Sequence, residues 1–368
     1  MAKHHHVNIF LILALILLQG AIETLADCRL NQAQLRNEQR LIVTYRNNVF
    51  DLIRDPTVRE GTRLFMICNQ NDITTVNCAN NRFSQRLPLP GCNNPIQPIR
   101  EAINYDISCA FQSYRIAYTV TLMNRPQVFE LYRVCFENAR YRTLFTVTTV
   151  SQFFLPRADG YTFNPDDIFT AAVFASYNKR DIFNTFERLL GPNQRFFARN
   201  EDVRRIDRGH LTAAGDFMTN NMIQNTFRMI NVIPQFHSIN NGNWRAIEEW
   251  ARRADNAPAR VCSGAFDMVV QLPNRRNNLV PIHLRGANSI PIPLWTYKIV
   301  RNRLNQRTAF LQYNNIHDDQ MPPNIPRQIG CTVVQCPLDL PRSNALGFTY
   351  CCEPLQFKRN FHFQSEWC

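Results

Sequence analysis

The sequence predicts an α+β protein in which a disulfide-rich, mostly β N-terminal region precedes a larger region of strands and helices. Two observations support this fold class. All twelve cysteines follow residue 26, and five of them fall within residues 27–128. From residue 129 onwards, segments of alternating apolar residues are mixed with segments whose apolar residues recur at helical spacing. We therefore place the larger domain at residues 129–368 and expect a mixed, mainly antiparallel sheet with helices packed on it.

Residues 1–26 form a separate segment. The basic residue Lys3 precedes an uninterrupted apolar run from Ile9 to Leu18, and small residues come before Asp27. This order is typical of a secretory signal peptide, and the run is shorter than the about 20 residues that a membrane-spanning helix needs. We expect a secreted, extracellular protein that begins near Asp27 and has no membrane partner. The alternative is that the run is retained as an anchor.

The even number of cysteines indicates structural disulfides, because exported proteins form them in oxidising surroundings. The spacing does not suit a zinc site, since no two cysteines are separated by two residues. Cys351 and Cys352 are adjacent, so we expect them to bond to two different partners. The sequence leaves the connectivity open.

Short apolar runs separated by turn residues characterise the N-terminal region. Residues 62–68 and 115–123 have the composition of strands, and residues 87–98 are rich in proline, glycine and asparagine. In the larger domain, residues 166–177 and 181–191 are predicted helices. Strands are predicted at residues 129–137, 141–154, 226–234, 261–273 and 290–300.

The stretch RIDRGHLTAAGDF, residues 205–217, lies where the predicted elements change. We expect one strand to end at His210, a second strand at residues 226–234, and a helix at residues 243–255 that begins near Asn240. A pair of strands packed on a helix can enclose a small metal site. One wall of such a site supplies a base and the other supplies a metal ligand.

The net charge of +12 is carried mainly by arginine. Only four of the 41 basic residues are lysines, so 37 are arginines. The planar guanidinium group binds phosphate oxygens in pairs and tolerates partial burial. The charge favours a polyanionic partner, namely nucleic acid, a heparin-like sugar or an acidic membrane surface. Solubility alone is the simpler explanation, and the charge does not decide among these.

Three short motifs lie close together in the larger domain. They are DRGH at Asp207–His210, NVIPQ at Asn231–Gln235, and Asn240 followed by Trp244 and Glu248. On a helix, the eight residues from Asn240 to Glu248 turn about 80° net over about 12 Å, so both side chains can border one face. A helix N-terminus, where Asn240 is expected, favours an anion such as phosphate.

Together these motifs resemble the core pattern of the DNA/RNA non-specific endonucleases of the ββα-metal class. The stretches GHLTAAGDF, INNGNW and TYCC are similar to the secreted arthropod branch of that family. The resemblance runs from about residue 129 to Cys352 and implies a ββα-metal nuclease core within the larger domain. It also implies an endonuclease that hydrolyses phosphodiester bonds in DNA and RNA and leaves 5′-phosphates.

The resemblance implies a role for each motif residue. His210 is the general base that takes a proton from the attacking water, since histidine exchanges protons near neutral pH. Asn240 is the single direct protein ligand of Mg²⁺, with Mn²⁺ as an alternative ion, and Glu248 holds waters around the ion. Arg208 binds the non-bridging phosphate oxygens. Asn231 positions either His210 or the substrate phosphate, and Asp207 fixes the loop.

Members of the family also use an arginine upstream of DRGH, which the sequence does not single out. Each assigned residue has a simpler explanation as well, such as a surface-loop histidine, a helix N-cap asparagine or an exposed helix carboxylate. We expect Trp244 to lie in the core, Glu249 to be an exposed charge and His237 not to bind the metal. The candidates for the upstream arginine are Arg180, Arg195, Arg199, Arg204 and Arg205.

The predicted partners are DNA and RNA, single- or double-stranded, bound through phosphate rather than base edges. The main alternative is an exported nucleic-acid-binding protein with a nuclease fold and little or no turnover. A heparin-binding or membrane-surface protein would explain the charge but not the motifs. We favour the enzyme because His210, Asn240 and Glu248 are all present. The sequence does not indicate an oligomeric state.

Overall fold

The computed structural model describes residues 27–152, 160–198, 201 and 203–359. The predicted signal peptide at residues 1–26 lies outside these residues, as does Cys368. Within the described ranges, no helix is long and apolar enough to cross a membrane.

The N-terminal region contains a five-stranded antiparallel sheet. Its central strand is buried on both faces, because Leu64 and Met66 pack in a small N-terminal core while Phe65 and Ile67 pack in a core shared with the larger sheet. The strands are β2 (Leu41–Arg46), β3 (Val49–Leu52), β5 (Arg63–Asn69), β6 (Asp72–Ala79) and β7 (Arg82–Phe83), in the order β3-β2-β5-β6-β7. Beside them lie β1 (Cys28–Arg29), its partner β4 (Thr57–Val58) and helix α1 (Gln32–Asn37).

A nine-stranded sheet, with each strand antiparallel to its neighbours, forms the centre of the larger region. Its strands are β8 (Ile99–Ile103), β9 (Gln112–Leu122), β10 (Arg125–Glu137), β11 (Arg142–Val150), β14 (Ala259–Ala265), β19 (Trp295–Arg301), β20 (Arg307–Tyr313), β21 (Val333–Val334) and β22 (Thr349–Cys352). Their order is β21-β22-β20-β19-β14-β11-β10-β9-β8. The predicted division between residues 128 and 129 falls inside β10, so the structure does not support a boundary there. The sheet already begins at β8.

Short elements cover this sheet. Three two-stranded ladders pair β12 (Ile206–His210) with β13 (Val232–Phe236), β15 (Gln271–Pro273) with β16 (Leu279–Pro281), and β17 (His283–Arg285) with β18 (Ser289–Pro291). The helices are α2 (Ala171–Ala175), α3 (Lys179–Leu190), α4 (Asn220–Gln224), α5 (His237–Ile239), α6 (Arg245–Ala251) and α7 (Pro354–Arg359). Short 3-10 turns lie at Asn138–Arg140, Ala214–Asp216, Met229–Asn231 and Arg327–Ile329.

Helix α6 is held against the middle of the nine-stranded sheet. Ile247 and Trp250 of α6 pack with Val261 of β14, Val300 of β19 and Phe310 of β20. The hairpin β12–β13 and α6 form one strand–strand–helix unit, as the sequence predicted, because Ile233 of β13 packs with Trp244 directly before α6. The α+β fold class and the mainly antiparallel sheet are confirmed.

Disulfides join neighbouring strands and loops, as expected for the cysteine pattern. Adjacent Cys351 and Cys352 bond to different partners, which confirms that prediction. Cys262 is also disulfide-bonded. The described pairs are Cys28–Cys78, Cys68–Cys92, Cys109–Cys135, Cys331–Cys352 and Cys336–Cys351.

Several predicted elements have different boundaries in the structure. The strands predicted at residues 261–273 and 290–300 are each interrupted, and the helix predicted at residues 243–255 is shortened to α6. The helix predicted at residues 166–177 is only α2, because Asp166 and Asp167 adopt positive φ angles of 59° and 55°, which a right-handed helix does not allow. Thr170 then caps α2 by accepting a hydrogen bond from the backbone N–H of Val173. The strand predicted at residues 226–234 starts only at Val232, because a 3-10 turn precedes it.

Candidate active site

The hairpin β12–β13 carries the DRGH motif, and His210 is the last residue of β12, as predicted. His210 pairs with Val232, and Arg208 pairs with Pro234 on β13. Because side chains alternate along a strand, Arg208 and His210 lie on the same face of the hairpin. The geometry thus places a guanidinium group beside an imidazole ring.

Gly209 of the motif is required by close packing. A Cβ atom added at Gly209 would lie 2.5 Å from Oε1 and 2.8 Å from Cβ of Gln235. Gln235 is fully buried, so it cannot move away towards solvent. Any larger residue at this position would separate the two strands and displace the residues on either side of it, Arg208 and His210.

Aromatic rings surround the His210 imidazole. Its ring centroid lies 4.7 Å from that of Phe227 in an edge-on arrangement and 5.4 Å from that of Phe163. The backbone carbonyl of His210 accepts a hydrogen bond from Nε1 of Trp244 at 3.3 Å. Trp244 is buried, as predicted, and ties the end of β12 to the segment that leads into α6.

Arg208 lies among three aromatic rings that the motif did not predict. Its guanidinium carbon is 5.0 Å from the ring centroid of Phe174, 5.2 Å from that of Phe163 and 5.6 Å from that of Tyr177. Burial lowers the pKa of Arg208, although the nearby Tyr177 acts in the opposite direction. Cation–π contacts of this kind hold a guanidinium group without neutralising its charge. Phe163 contacts both Arg208 and His210.

Asn240 is oriented by Asp207. The Nδ2 group of Asn240 donates a hydrogen bond to Oδ2 of Asp207 at 3.0 Å. This bond uses only the Nδ2 group of Asn240. The Oδ1 atom, an amide oxygen of the kind that binds metal ions, lies on the other side of the amide and remains available to an ion. Asp207 Oδ2 also lies 2.7 Å from Nδ1 of His237, and Asp207 Oδ1 accepts from Nε of Arg205 at 3.3 Å. Asp207 thus connects the motif strand to the segment that carries Asn240.

The helical segment begins near Asn240, as predicted, but Asn240 is not its first residue. The helical segment starts three residues earlier, at His237, because the chain turns directly from β13 into α5. Asn240 then opens a π-type turn, Asn240–Trp244, which is broken at Gly242 and leads into α6. The side chain of Asn240 therefore bonds to Asp207 rather than capping a helix, and the predicted anion site at a helix N-terminus is not formed at Asn240.

Glu248 lies in a buried group of charges beneath the hairpin. Its side chain is 14% exposed, and Oε1 is 4.0 Å from Nζ of Lys298. Burial raises the pKa of Glu248 to about 7, against the opposing effects of Lys298 and Arg252. The neighbouring Glu249 is different, because it is half exposed and pairs with Arg245, as expected for a surface charge.

Asn231 is fully buried and bonded entirely to the backbone. Its Oδ1 accepts from the N–H of Thr212 at 2.9 Å, and its Nδ2 donates to the carbonyls of Thr212 at 2.9 Å and Thr226 at 2.8 Å. With these bonds in place, no part of the side chain reaches a substrate. The geometry favours the first of the two predicted roles, in which Asn231 fixes the chain that follows His210.

The oxygen donors near Asn240 suit magnesium. Among the described residues, no group of three or more His, Cys, Asp or Glu side chains could hold a metal ion. Mg²⁺ prefers oxygen, retains several waters and needs only one or two protein ligands, which the amide of Asn240 can satisfy.

Of the candidate upstream arginines, Arg205 adjoins the site through its bonds to Asp207 and His237. Arg204 instead pairs with Glu201, and Arg180 is largely exposed beside Asp181. Arg199 lies outside the described residues.

The sequence model of the DNA/RNA non-specific endonuclease family matches residues 111–357. The chain belongs to the DNA/RNA non-specific endonuclease family. It is therefore a nuclease, a hydrolase of phosphodiester bonds, and the family is metal-dependent. The match begins at residue 111, directly before β9, the second strand of the nine-stranded sheet along the chain.

Two named relatives are similar to this nuclease. A salivary endonuclease of Lutzomyia longipalpis is 23% identical over 320 residues, which cover 82% of this chain and 73% of the relative. The mitochondrial nuclease EXOG of Danio rerio is 29% identical over 110 residues, or 28% of this chain and 32% of the relative. A chain in the crystal structure of the EndoG/EndoGI complex aligns over 52% of this chain and 74% of that chain, with 16% identity and a TM-score of 0.34.

Two features of the site were missed in the sequence. The aromatic residues around Arg208 lie more than thirty residues before it and show no motif. Lys298 is one of only four lysines and lies within a predicted apolar strand. This unusual position could have identified Lys298 as part of the site. A charged side chain in a buried strand requires ionic or hydrogen-bonding partners, and the partners of Lys298 belong to the site.

Proposed function

We propose that this nuclease is a secreted, Mg²⁺-dependent endonuclease that hydrolyses both DNA and RNA. The observation that carries the proposal is the 3.0 Å hydrogen bond from Asn240 to Asp207. It brings the predicted metal ligand next to the strand that carries Arg208 and His210. Secretion is supported by the apolar run within residues 1–26 and by the disulfides.

Each side chain has a distinct task in this mechanism. His210 takes a proton from the water that attacks phosphorus, and Arg208 binds the non-bridging oxygens on which negative charge builds up. Asn240 would hold the ion through its amide oxygen, and Glu248 would accept hydrogen bonds from water at the site. When bound, Mg²⁺, or Mn²⁺ in its place, would neutralise charge on the phosphate and stabilise the leaving 3′-oxygen. Asn231 and Asp207 act as positioning residues.

A lack of base preference is consistent with this arrangement. The groups proposed to touch the substrate recognise phosphate, which DNA and RNA share. The net charge of +12 would speed the encounter with either polymer and make cleavage sensitive to salt.

Circular DNA tests the proposed endonuclease activity. We expect the purified protein with Mg²⁺ to convert supercoiled plasmid to nicked circles and then to linear DNA, with 5′-phosphate ends. Intact circles alongside tight, salt-sensitive binding would instead support a nucleic-acid-binding protein with little or no turnover.

Asp207→Ala should weaken Mg²⁺ binding because it removes the acceptor that orients the Asn240 amide. We expect the half-saturating Mg²⁺ concentration for cleavage to rise by about 10–100-fold, the usual effect of losing a partner of a metal ligand. Asp255→Ala changes an exposed carboxylate after α6 and is the matched control. An unchanged Mg²⁺ requirement in Asp207→Ala would show that Asn240 does not depend on this bond.

Mg²⁺ binding should strengthen as the pH rises. Burial raises the pKa of Glu248 to about 7, so the carboxyl group is largely protonated below that pH and ionised above it. Only the ionised form attracts the cation, so the dissociation constant for Mg²⁺ should fall between about pH 6 and about pH 8, by up to about tenfold per unit on the acidic side. Calorimetric titration measures this dependence, and it should be lost in Glu248→Gln. A dependence that persists in that variant would assign it to another group.

Phe163→Ala should reduce kcat because it removes a ring that contacts both Arg208 and His210. Cation–π contacts contribute about 0.5–2 kcal/mol, which corresponds to a reduction of about 2–30-fold. Phe111→Ala, at an exposed aromatic residue in the loop before β9, is the matched control. Equal kcat values for the wild type and Phe163→Ala would mean that the ring does not position either group.

A further inference from the structure

Lys298 is a buried cation beneath the proposed active site. It lies on β19 and is 1% exposed. Its Nζ donates to Oγ of Ser263 at 2.5 Å and to the backbone carbonyl of Leu211 at 3.3 Å. Nζ also lies 4.4 Å from the Trp244 ring centroid and 4.0 Å from Oε1 of Glu248.

These contacts join parts of the site that are distant in the sequence. Leu211 directly follows His210 at the end of β12, whereas Trp244 and Glu248 belong to the segment that enters and forms α6. Ser263 lies on β14, in the centre of the nine-stranded sheet. The Lys298 ammonium group therefore fixes three elements relative to one another. They are β12, which carries the proposed general base, α6, which carries Glu248, and the nine-stranded sheet.

The charges around Glu248 make Lys298 its principal counterion. Four charged groups meet in this buried region, namely Glu248, Asp216, Lys298 and Arg252, while Glu249 on the same helix also acts on Glu248. Arg252 Nη1 donates to Oδ1 of Asp216 at 3.0 Å, so this pair forms one ionic contact. Lys298 and Glu248 form the other. Burial disfavours the charged form of both groups. If either partner is lost, the other is left as a buried charge without compensation for its desolvation.

We propose that Lys298 is a positioning residue of the active site, which holds Glu248 and the chain after His210 in place for metal binding. This inference rests on the proposed function. Lys298 touches neither substrate nor ion, and acts through Glu248. A lysine that served only the core would have no specific effect on metal binding.

The test compares Lys298→Met in two backgrounds, with Mg²⁺ binding measured by calorimetry in the absence of substrate. In the wild-type background, we expect Lys298→Met to raise the dissociation constant at pH 7 by at least ~10-fold, and its pH dependence to move to higher pH. In the Glu248→Gln background, the same change should alter Mg²⁺ binding by less than about twofold. Lys179→Met, at an exposed lysine on α3, is the matched control.

Each outcome decides the proposal. A folded Lys298→Met protein with normal Mg²⁺ binding, or an equal loss in both backgrounds, would overturn it. If Lys298→Met alone does not fold, the double variant Glu248→Gln/Lys298→Met should restore folding, since it removes both buried charges. A double variant that also fails to fold would show that Lys298 serves the core alone. If the wild-type protein neither binds Mg²⁺ nor cleaves nucleic acid, the proposed function fails first.

Discussion

His210→Ala is expected to lower kcat for DNA cleavage at least ~100-fold, the usual contribution of a general base. In the proposed mechanism no water is deprotonated without this imidazole. Substrate affinity should change little, because Arg208 and the basic surface remain. The effect should therefore appear in kcat rather than KM, and steady-state cleavage of a short duplex measures both.

Added imidazole provides the control for this variant. The substitution leaves a space between Phe163 and Phe227, whose rings contact His210 in the wild-type protein. A free base that enters this space should restore part of the activity, whereas it should have no effect on the wild type. A normal kcat for His210→Ala would remove the residue from the mechanism.

Asn240→Ala is expected to have a comparably large effect, because it removes the proposed metal ligand. Charge stabilisation by a bound metal contributes several kcal/mol, so cleavage should fall at least ~100-fold and Mg²⁺ should no longer bind measurably. The neighbouring Asn241→Ala removes an exposed amide that contacts His237 and is the matched control. Wild-type Mg²⁺ affinity in Asn240→Ala would show that the ion is bound elsewhere.

The positions of the motif residues along the chain could be predicted from local patterns. A strand that ends at His210, a second strand and a helix with Trp244 in the core all follow from the alternation and spacing of apolar residues. The separate partners of Cys351 and Cys352 follow from covalent geometry, because neighbouring cysteines rarely bond to each other.

The contacts that build the site could not be predicted in the same way. Asp207 and Asn240 are 33 residues apart, and their hydrogen bond depends on how β13 turns into α5. The rings of Phe163 and Phe174 reach Arg208 only because the segment before β12 folds across the hairpin. The hydrogen bonds of the Asn231 side chain likewise depend on backbone groups of Thr212 and Thr226, and no spacing rule places these residues beside Asn231.

The extent of the larger sheet was also hidden in the sequence. Strands β8 and β9 belong to it, although they lie in the cysteine-rich part of the chain. Composition placed them with the N-terminal region, whereas pairing places them with the nuclease fold. Composition reflects disulfide content, and hydrogen bonding between strands decides sheet membership.

Digestion of plasmid DNA and of RNA, each with Mg²⁺ and with EDTA, distinguishes a metal-dependent endonuclease from a nucleic-acid-binding protein. We expect the wild-type protein to cut both substrates with Mg²⁺, EDTA to abolish both reactions, and His210→Ala to cut both at least ~100-fold more slowly. Cleavage that persists in EDTA, or tight binding of both polymers without any cleavage, would contradict a metal-dependent endonuclease with His210 as its base.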